Sequence, residues 1–161
     1  MENIEELAAR VINLFREKGL SLALAESCTG GMIAETVTCV AGASDIFFGS
    51  AVTYVNTAKE HILGVSRGTL DKHGAVSSEC AAEMARGARC IYGADVAMSV
   101  TGIAGPGGGS KDKPVGTVWF GLSSEYGTET FSRVFDGDRA SVRRQTVEEV
   151  LRRLVAFAES E

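Results

Sequence analysis

The stretch Leu20 to Gly31, LSLALAESCTGG, decides the fold of this chain. Leucine alternates with small residues from Leu20 to Ala25, which is typical of a strand buried on both faces of a sheet covered by helices. The run ends at a hydroxyl and thiol cluster followed by two glycines, and Met32 to Val40 continues with helical spacing. We therefore predict a strand, a polar turn and a helix, in that order.

The predicted turn carries Ser27, Cys28 and Thr29. The spacing places them at the positive end of the helix, where N–H groups without intrahelical partners can bind an anion or a developing oxyanion. Gly30 and Gly31 permit close approach of a ligand to the backbone. For this segment alone, a helix capped by serine or threonine without any ligand is the alternative. Three further polar clusters beside predicted strands favour a site, at residues 54–59, 99–109 and 137–143.

Length, charge and hydropathy limit what the chain does. Its 161 residues, 45% of them hydrophobic, suffice for one core, so we expect a single domain over residues 1–161. The net charge of −5 argues against nucleic acid as a partner, because domains that bind it usually carry a basic excess. The acidic N-terminus and the lack of a long apolar run predict neither a leader peptide nor a membrane segment. We expect a cytoplasmic protein.

The four cysteines do not indicate a metal site, because none of them belongs to a C-x-x-C pair. Cys39, Cys80 and Cys90 stand among apolar residues in helix-like segments. We expect these three to be small buried hydrophobic residues.

Helices and strands alternate along the chain. Helices are predicted over residues 2–18, 32–40, 56–63, 77–92 and 138–158. Strands are predicted over 20–25, 95–100, 115–123 and 128–135, and a further strand within 46–54. Asn56 or Thr57 is expected to cap the third helix, and Ser77 or Ser78 the fourth. The segment EYG at 125–127 favours a hairpin between the last two strands. This order predicts an α/β fold, a three-layer α/β/α sandwich with a mixed sheet of about five strands.

Ser27 is the candidate nucleophile, and Lys59 is its candidate base. Both follow predicted strands, so we expect them at the same edge of the sheet. A neutral lysine amine can accept a proton from serine when burial or a neighbouring cation lowers its pKa. Tyr54 could orient that amine or relay a proton. The alternatives are an exposed helical lysine and a tyrosine at the rim of the core.

Other nucleophile arrangements have less support. Neither histidine, His61 or His73, belongs to a glycine-rich or hydroxyl-rich cluster, which disfavours a Ser-His-Asp triad. Cys28 offers a thiolate beside Ser27, but a Cys-His pair is disfavoured for the same reason, the lack of a suitably placed histidine.

Two later segments supply candidate binding groups. After hydroxyls at Ser99 and Thr101, the chain enters a glycine-rich loop with N–H donors, whose spacing matches neither a Walker A loop nor a dinucleotide-binding turn. Arg139 and Arg143 stand four residues apart on one face of the last helix, where they could clamp a phosphate.

Six segments in this order carry a more specific signal: AESCTGG at 25–31, VTYVNTAK at 52–59, HGAVS at 73–77, SVTGIAGPGGG at 99–109, KPVGTVWFG at 113–121 and GDRASVRRQ at 137–145. Together they closely resemble the CinA C-terminal domain family, over nearly the whole chain. Members of that family include stand-alone nicotinamide mononucleotide amidohydrolases, which form nicotinate mononucleotide and ammonia in pyridine nucleotide salvage. Other members follow a separate N-terminal domain in competence- and damage-inducible proteins.

The resemblance implies that Ser27 is the nucleophile, Lys59 its general base and Tyr54 a supporting group. Arg139 and Arg143 would meet the substrate phosphate. The residues beside the oxyanion would be Thr29, Gly30 and Gly31. The nicotinamide and ribose pocket would be lined from the segment Ser99, Thr101, Gly102, Ile103, Ala104 and Gly105.

The same resemblance implies a homodimer or higher homo-oligomer that needs neither a metal nor an organic cofactor. Two other functions stay open at this point. One is a non-catalytic nucleotide-binding or regulatory module, and the other is an amidase for another small amide.

Overall fold

The computed structural model describes all residues, 1–161. Its helices and strands alternate as far as the second strand, three successive helices lead to the third strand, and a hairpin and a long helix follow. In chain order they are α1 (Ile4–Lys18), β1 (Leu22–Glu26), α2 (Met32–Thr38), β2 (Phe47–Val52), α3 (Asn56–Leu63), α4 (Arg67–His73), α5 (Ser78–Tyr92), β3 (Val96–Gly102), β4 (Thr117–Ser124), β5 (Gly127–Val134) and α6 (Arg139–Ser160). A single 3-10 turn, Ala43–Asp45, precedes β2.

The five strands form one mixed sheet in the order β2-β1-β3-β4-β5. Strand β1 lies in the middle of a parallel trio, since it pairs in parallel with both β2 and β3. Strand β4 is antiparallel to β3 and to β5, with which it forms the predicted hairpin. The predicted α/β fold with a mixed five-stranded sheet is therefore confirmed.

Helices cover both faces of the sheet. α1, α2 and α6 pack on one face, and α3, α4 and α5 lie on the other. In β1, Leu22 and Leu24 join the core under α1 and α6, whereas Ala23 and Ala25 face α5. The leucines of this strand thus fill the core beneath α1 and α6, and the small alanine side chains allow α5 to pack closely on the other face.

Two glycines allow α5 to approach its neighbours closely. A Cβ at Gly121 of β4 would lie 2.4 Å from the carbonyl oxygen of Ala81, and a Cβ at Gly87 would lie 2.0 Å from that of Leu63. Any side chain at either position would push the elements apart. Gly87 therefore fixes the end of α3, the helix that carries Lys59.

Local predictions near α3 and α4 need correction. Neither Asn56 nor Thr57 caps α3, because the helix already includes both and Val55 is the preceding residue. Helix α4 is absent from the predicted elements, since its glycine-interrupted sequence lacks an apolar period; Ser66 starts it by accepting a hydrogen bond from Thr69 N–H. Ser77 caps α5, as one of the two predicted alternatives requires.

The cysteine prediction is correct for Cys80, which is buried, and wrong for Cys39 and Cys90, which are exposed. Cys39 follows the last residue of the short helix α2, and Cys90 lies in the last turn of α5. Apolar neighbours in sequence do not determine which side of a helix end faces the core. None of the helices combines the length and apolar character needed to cross a bilayer, and no three metal-ligating side chains are grouped together.

Candidate active site

The site begins where β1 ends, at the carboxyl edge of the parallel strands. Ser27 directly follows β1 and opens the turn that leads to α2. On the neighbouring strand the pairing continues one residue past β2, because Thr53 N–H donates to Glu26 O at 2.8 Å. The chain then turns into α3, whose first turns bring Lys59 back over Thr53. The sheet edge therefore brings together side chains from two strand-to-helix junctions.

Lys59 and Ser27 are in direct contact. The Nζ atom of Lys59 lies 2.9 Å from the Oγ atom of Ser27. Lys59 is 1% exposed and Ser27 8% exposed. The prediction that both residues lie at one edge of the sheet is thus confirmed, although they stand far apart in sequence.

The other contacts of Lys59 suit an amine that gains and loses a proton. Its Nζ donates to the main-chain oxygen of Thr53 at 2.6 Å and to that of Tyr54 at 3.3 Å. In the ammonium form, the three N–H groups of Lys59 can donate to these two carbonyls and to Ser27 Oγ. In the neutral form, two N–H bonds suffice for the carbonyls, and the lone pair is available to the Ser27 hydroxyl. Burial lowers the pKa of Lys59 from its usual value. Position and environment both favour a role as a base.

Cys28 is poorly suited to act as a nucleophile. Burial raises the pKa of its thiol to about 11, so the thiolate is scarce at neutral pH. The nearby cations Arg143 and Lys59 offset this effect only in part. Of the two adjacent candidates, Ser27 is the one whose side chain contacts the Nζ atom of Lys59.

The first turn of α2 is not free to bind an anion, which corrects the prediction from the sequence. The N–H groups of Ile33 and Ala34 donate to the carboxylate of Glu26 at 2.9 and 3.2 Å. The helix begins only at Met32, so Ser27, Cys28 and Thr29 precede it by a full turn. A buried carboxylate therefore occupies the positive end of this helix.

The N–H groups within the turn itself differ in their availability. That of Gly30 donates to Ser27 O at 3.0 Å. Those of Cys28, Thr29 and Gly31 donate to no acceptor in the chain. Gly30 and Gly31 both have positive φ, at 59° and 105°, which side-chain-bearing residues rarely adopt. The glycines thus permit the sharp turn that leaves these donors unpaired.

Arg139 and Tyr54 form the exposed rim of the site. The Nη2 atom of Arg139 donates to the Tyr54 hydroxyl at 2.8 Å, and its Nη1 donates to Gly105 O at 2.9 Å. Tyr54 is 57% exposed. Its main-chain oxygen contacts Lys59, but its hydroxyl is bonded to Arg139 rather than to Ser27 or Lys59. A proton relay through Tyr54 stays a prediction.

Arg143 lies deeper than Arg139 and contacts the nucleophile turn. Its Nε donates to Cys28 O at 3.1 Å, and its Nη2 donates to Thr29 O at 2.9 Å. The two arginines, both predicted as phosphate ligands, therefore differ in what they hold. Arg139 bridges the rim, and Arg143 binds the turn.

Most of the predicted pocket residues of β3 and its following loop are buried or paired within the fold. Ser99 and Thr101 are buried, and their hydroxyls donate to the main-chain oxygens of Ala81 and Ala75. Ala104 packs into the core. The main-chain N–H and carbonyl of Ile103 pair with Thr117 O and Gly116 N–H, and Gly102 ends β3. Within this segment, Gly105 contacts the site, because its main-chain oxygen accepts a hydrogen bond from Arg139.

Two residues of the site were not singled out from the sequence. Glu26 is fully buried at the end of β1, and Thr53 is fully buried beneath Lys59. A glutamate at the end of an otherwise apolar strand is a usable signal, because buried carboxylates need specific partners. Thr53 acts through its main-chain oxygen, for which a side-chain pattern gives no signal.

The chain is similar to known proteins over most of its length. The CinA C-terminal domain model matches residues 4–158. A CinA-like protein of Geobacter sulfurreducens is 57% identical to this chain. The matched part covers 84% of this chain and 33% of that relative. Nicotinamide-nucleotide amidohydrolase PncC of Enterobacter agglomerans is 49% identical over 89% of this chain and 88% of its own length. The chain thus spans about a third of several curated relatives and most of another.

Solved structures extend the likeness to three dimensions. The competence/damage inducible protein CihA from Agrobacterium tumefaciens superposes with a TM-score of 0.92 at 45% identity, covering 97% of this chain and 96% of its own. A CinA superfamily protein from Klebsiella pneumoniae gives a TM-score of 0.95 at 36% identity, covering 99% and 100%. The family model, the relatives and the solved structures all match nearly the whole length of the chain. The chain therefore belongs to the CinA C-terminal domain family.

Proposed function

We propose that this chain hydrolyses the carboxamide of nicotinamide mononucleotide to nicotinate mononucleotide and ammonia. The contact of 2.9 Å between the Oγ of Ser27 and the buried amine of Lys59 carries this proposal. The name of the Enterobacter agglomerans relative supports the substrate, because that relative matches this chain over most of both lengths. The reaction would belong to pyridine nucleotide salvage.

The proposed first step is attack of Ser27 Oγ on the carboxamide carbon. Neutral Lys59 takes the hydroxyl proton as the C–O bond forms, and the carbonyl π electrons move onto oxygen. The resulting oxyanion is placed beside the N–H groups of Thr29 and Gly31, which have no acceptor within the chain. The protonated amine of Lys59 then returns the proton to the nitrogen as the C–N bond breaks and ammonia leaves. Water hydrolyses the acyl-enzyme by the same route.

Arg139 is the proposed ligand of the substrate phosphate. It is exposed at the rim, and its guanidinium is held by Tyr54 and Gly105 on one side. Guanidinium groups form strong, charge-assisted hydrogen bonds with phosphate oxygens. This placement would put the phosphate near the start of α6 and the carboxamide near Ser27.

We expect Arg139→Ala to raise the KM for nicotinamide mononucleotide about 10- to 100-fold, because one charge-assisted pair to phosphate is lost. Nicotinamide riboside lacks the phosphate, so its kcat/KM should change far less. Steady-state kinetics on both substrates measure the difference. Arg144→Ala is the matched control, since Arg144 is exposed on the same helix and makes no polar contact in the structure. Equal losses on both substrates would remove Arg139 from phosphate binding.

We also propose that the chain acts as a homodimer in the cytoplasm. β2 is an edge strand of the sheet, and exposed apolar side chains lie on it and on the adjoining α3 region: Phe48, Val52, Val55 and Ile62. Apolar edges of this kind are usually covered by a partner. A second copy on this face would also border Tyr54 and thus the site. The exposed thiols of Cys39 and Cys90 suit a reducing compartment.

Ammonia release from nicotinamide mononucleotide by the purified chain tests the proposed activity. We expect one ammonia and one nicotinate mononucleotide per substrate consumed, measured by an enzyme-coupled ammonia assay and by chromatography. A panel of other small carboxamides forms the comparison. Faster hydrolysis of a panel member would favour an amidase of different specificity. Saturable binding of the nucleotide without any ammonia would favour a non-catalytic nucleotide-binding module.

A further inference from the structure

The turn that carries Ser27 is held on one side by the carboxylate of Glu26. This fully buried group accepts four hydrogen bonds. The donors are Thr29 Oγ1 at 2.7 Å, Ile33 N–H at 2.9 Å, Ala34 N–H at 3.2 Å and Ser50 Oγ at 2.8 Å. Each carboxylate oxygen receives one N–H and one hydroxyl. This donor set suits an ionised carboxylate, which can only accept.

Glu26 replaces a missing helix cap. The N-cap position of α2 is Gly31, which has no side chain to accept a hydrogen bond. Glu26 reaches the first turn of α2 from the preceding strand and satisfies two of its unpaired N–H groups. The five residues between the strand and the helix are therefore closed into a loop by one side chain.

Arg143 holds the same turn from the other side. Its guanidinium binds the main-chain oxygens of Cys28 and Thr29. Thr29 is thus fixed at two points, since its hydroxyl is bonded to Glu26 and its carbonyl to Arg143. Ser27 lies between Glu26 and Thr29 in sequence and has little freedom to move independently of them.

The geometry points to Glu26 and Arg143 as positioning residues that keep the Oγ of Ser27 against the Nζ of Lys59. This inference rests on the proposed function. Neither residue is bonded to Ser27 Oγ or to Lys59 Nζ, so both act through the turn. A displacement of about 1 Å at a reacting atom can cost about 10²-fold in rate. Arg143 is accordingly assigned to the turn and Arg139 to the substrate.

Glu26→Gln is the sharpest test, because the amide places an NH2 group against the N–H of Ile33 or Ala34. We expect kcat on nicotinamide mononucleotide to fall about 10²-fold with KM within about threefold. Thr29→Val removes one donor to Glu26 on the turn and should lower kcat about 10-fold. Ser50→Ala removes one donor to the same carboxylate on the β2 side. It should leave kcat within about threefold while still lowering the melting temperature.

The labelling rate of Ser27 by a sulfonyl fluoride gives a second readout that does not depend on substrate binding. We expect labelling, measured by mass spectrometry, to slow in Glu26→Gln and Thr29→Val in parallel with kcat, and to stay unchanged in Ser50→Ala. Circular dichroism and the melting temperature report whether each variant is folded. If Glu26→Gln does not fold, Thr29→Val against Ser50→Ala still decides the question.

A merely structural role predicts a different pattern. All three variants would then melt earlier yet keep their kcat and their labelling rate per folded molecule, which overturns the inference. A rise in KM at unchanged kcat would overturn it as well. The proposed function fails separately, if Ser27→Ala hydrolyses nicotinamide mononucleotide like the unchanged chain. An inactive Ser27→Ala variant beside active Glu26→Gln and Thr29→Val variants removes only the positioning role of Glu26.

Discussion

Ser27→Ala should lose the hydrolysis of nicotinamide mononucleotide, with kcat at least about 10³-fold lower, because no other group in contact with Lys59 can attack the carboxamide. The fold should persist, since alanine removes only one hydroxyl from a position at the end of β1. Ammonia release under single-turnover conditions measures the loss, and circular dichroism checks the fold.

Cys28→Ala is the matched control for this variant. Cys28 is the next residue and is also buried, but its raised pKa keeps the thiol protonated at neutral pH. We expect this variant to keep its kcat within a few-fold of the unchanged chain. Full activity of Ser27→Ala together with an inactive Cys28→Ala would reverse the assignment of the nucleophile.

Lys59→Met should abolish turnover at neutral pH and at the same time stabilise the fold. Methionine fills a similar volume without a proton-accepting nitrogen, so Ser27 loses its base. We expect a kcat loss of about 10³-fold or more. Lys59→Arg should not rescue activity, because a guanidinium keeps its proton in the accessible pH range. An active Lys59→Met variant would exclude the lysine as base.

The lowered pKa of Lys59 also sets the pH dependence of the unchanged chain. Because the neutral amine is the active form in the proposed mechanism, kcat/KM should rise with pH up to that lowered pKa and then level off. A profile of the unchanged chain that shows no rise before this plateau, and is flat from acidic to alkaline pH, would contradict the assignment.

Stability should follow the same ionisation. Between the lowered pKa in the folded state and the usual lysine pKa of 10.5 in the unfolded chain, the unfolded chain binds more protons. The free energy of unfolding should therefore rise with pH through this window. Lys59→Met removes that slope and should be the more stable protein below the window. Urea unfolding at several pH values, with both proteins in parallel, measures the two effects.

The sequence was informative where one physical constraint dominates. The leucine and alanine alternation of β1 requires a strand with unequal faces, and parallel strands place their following residues at one edge. These two facts suffice to predict that Ser27 and Lys59 lie at the same edge of the sheet, but not that their side chains are in contact. The hairpin of β4 and β5 follows in the same way from its alternation and its glycine.

Other features depend on contacts that a local pattern does not reveal. The positive end of α2 looks free in sequence, yet the acceptor for its N–H groups is Glu26, seven and eight residues earlier. Arg143 and Arg139 stand four residues apart on the same face of α6, and the sequence does not distinguish them. The packing of α6 places Arg143 against the turn that carries Ser27. Cys39 and Cys90 lie at or near helix ends, where apolar neighbours in sequence do not determine which side faces the core.

The residues of the site come from distant parts of the chain. Ser27 and Lys59 come from the first two strand-to-helix junctions, whereas Arg139 belongs to the first turn of the last helix. The pair is enclosed, and Arg139 is exposed. Selection for a different substrate could therefore act on one solvent-facing helical turn while the reactive groups stay unchanged. For protein engineering, this separation makes α6 the natural place to diversify specificity.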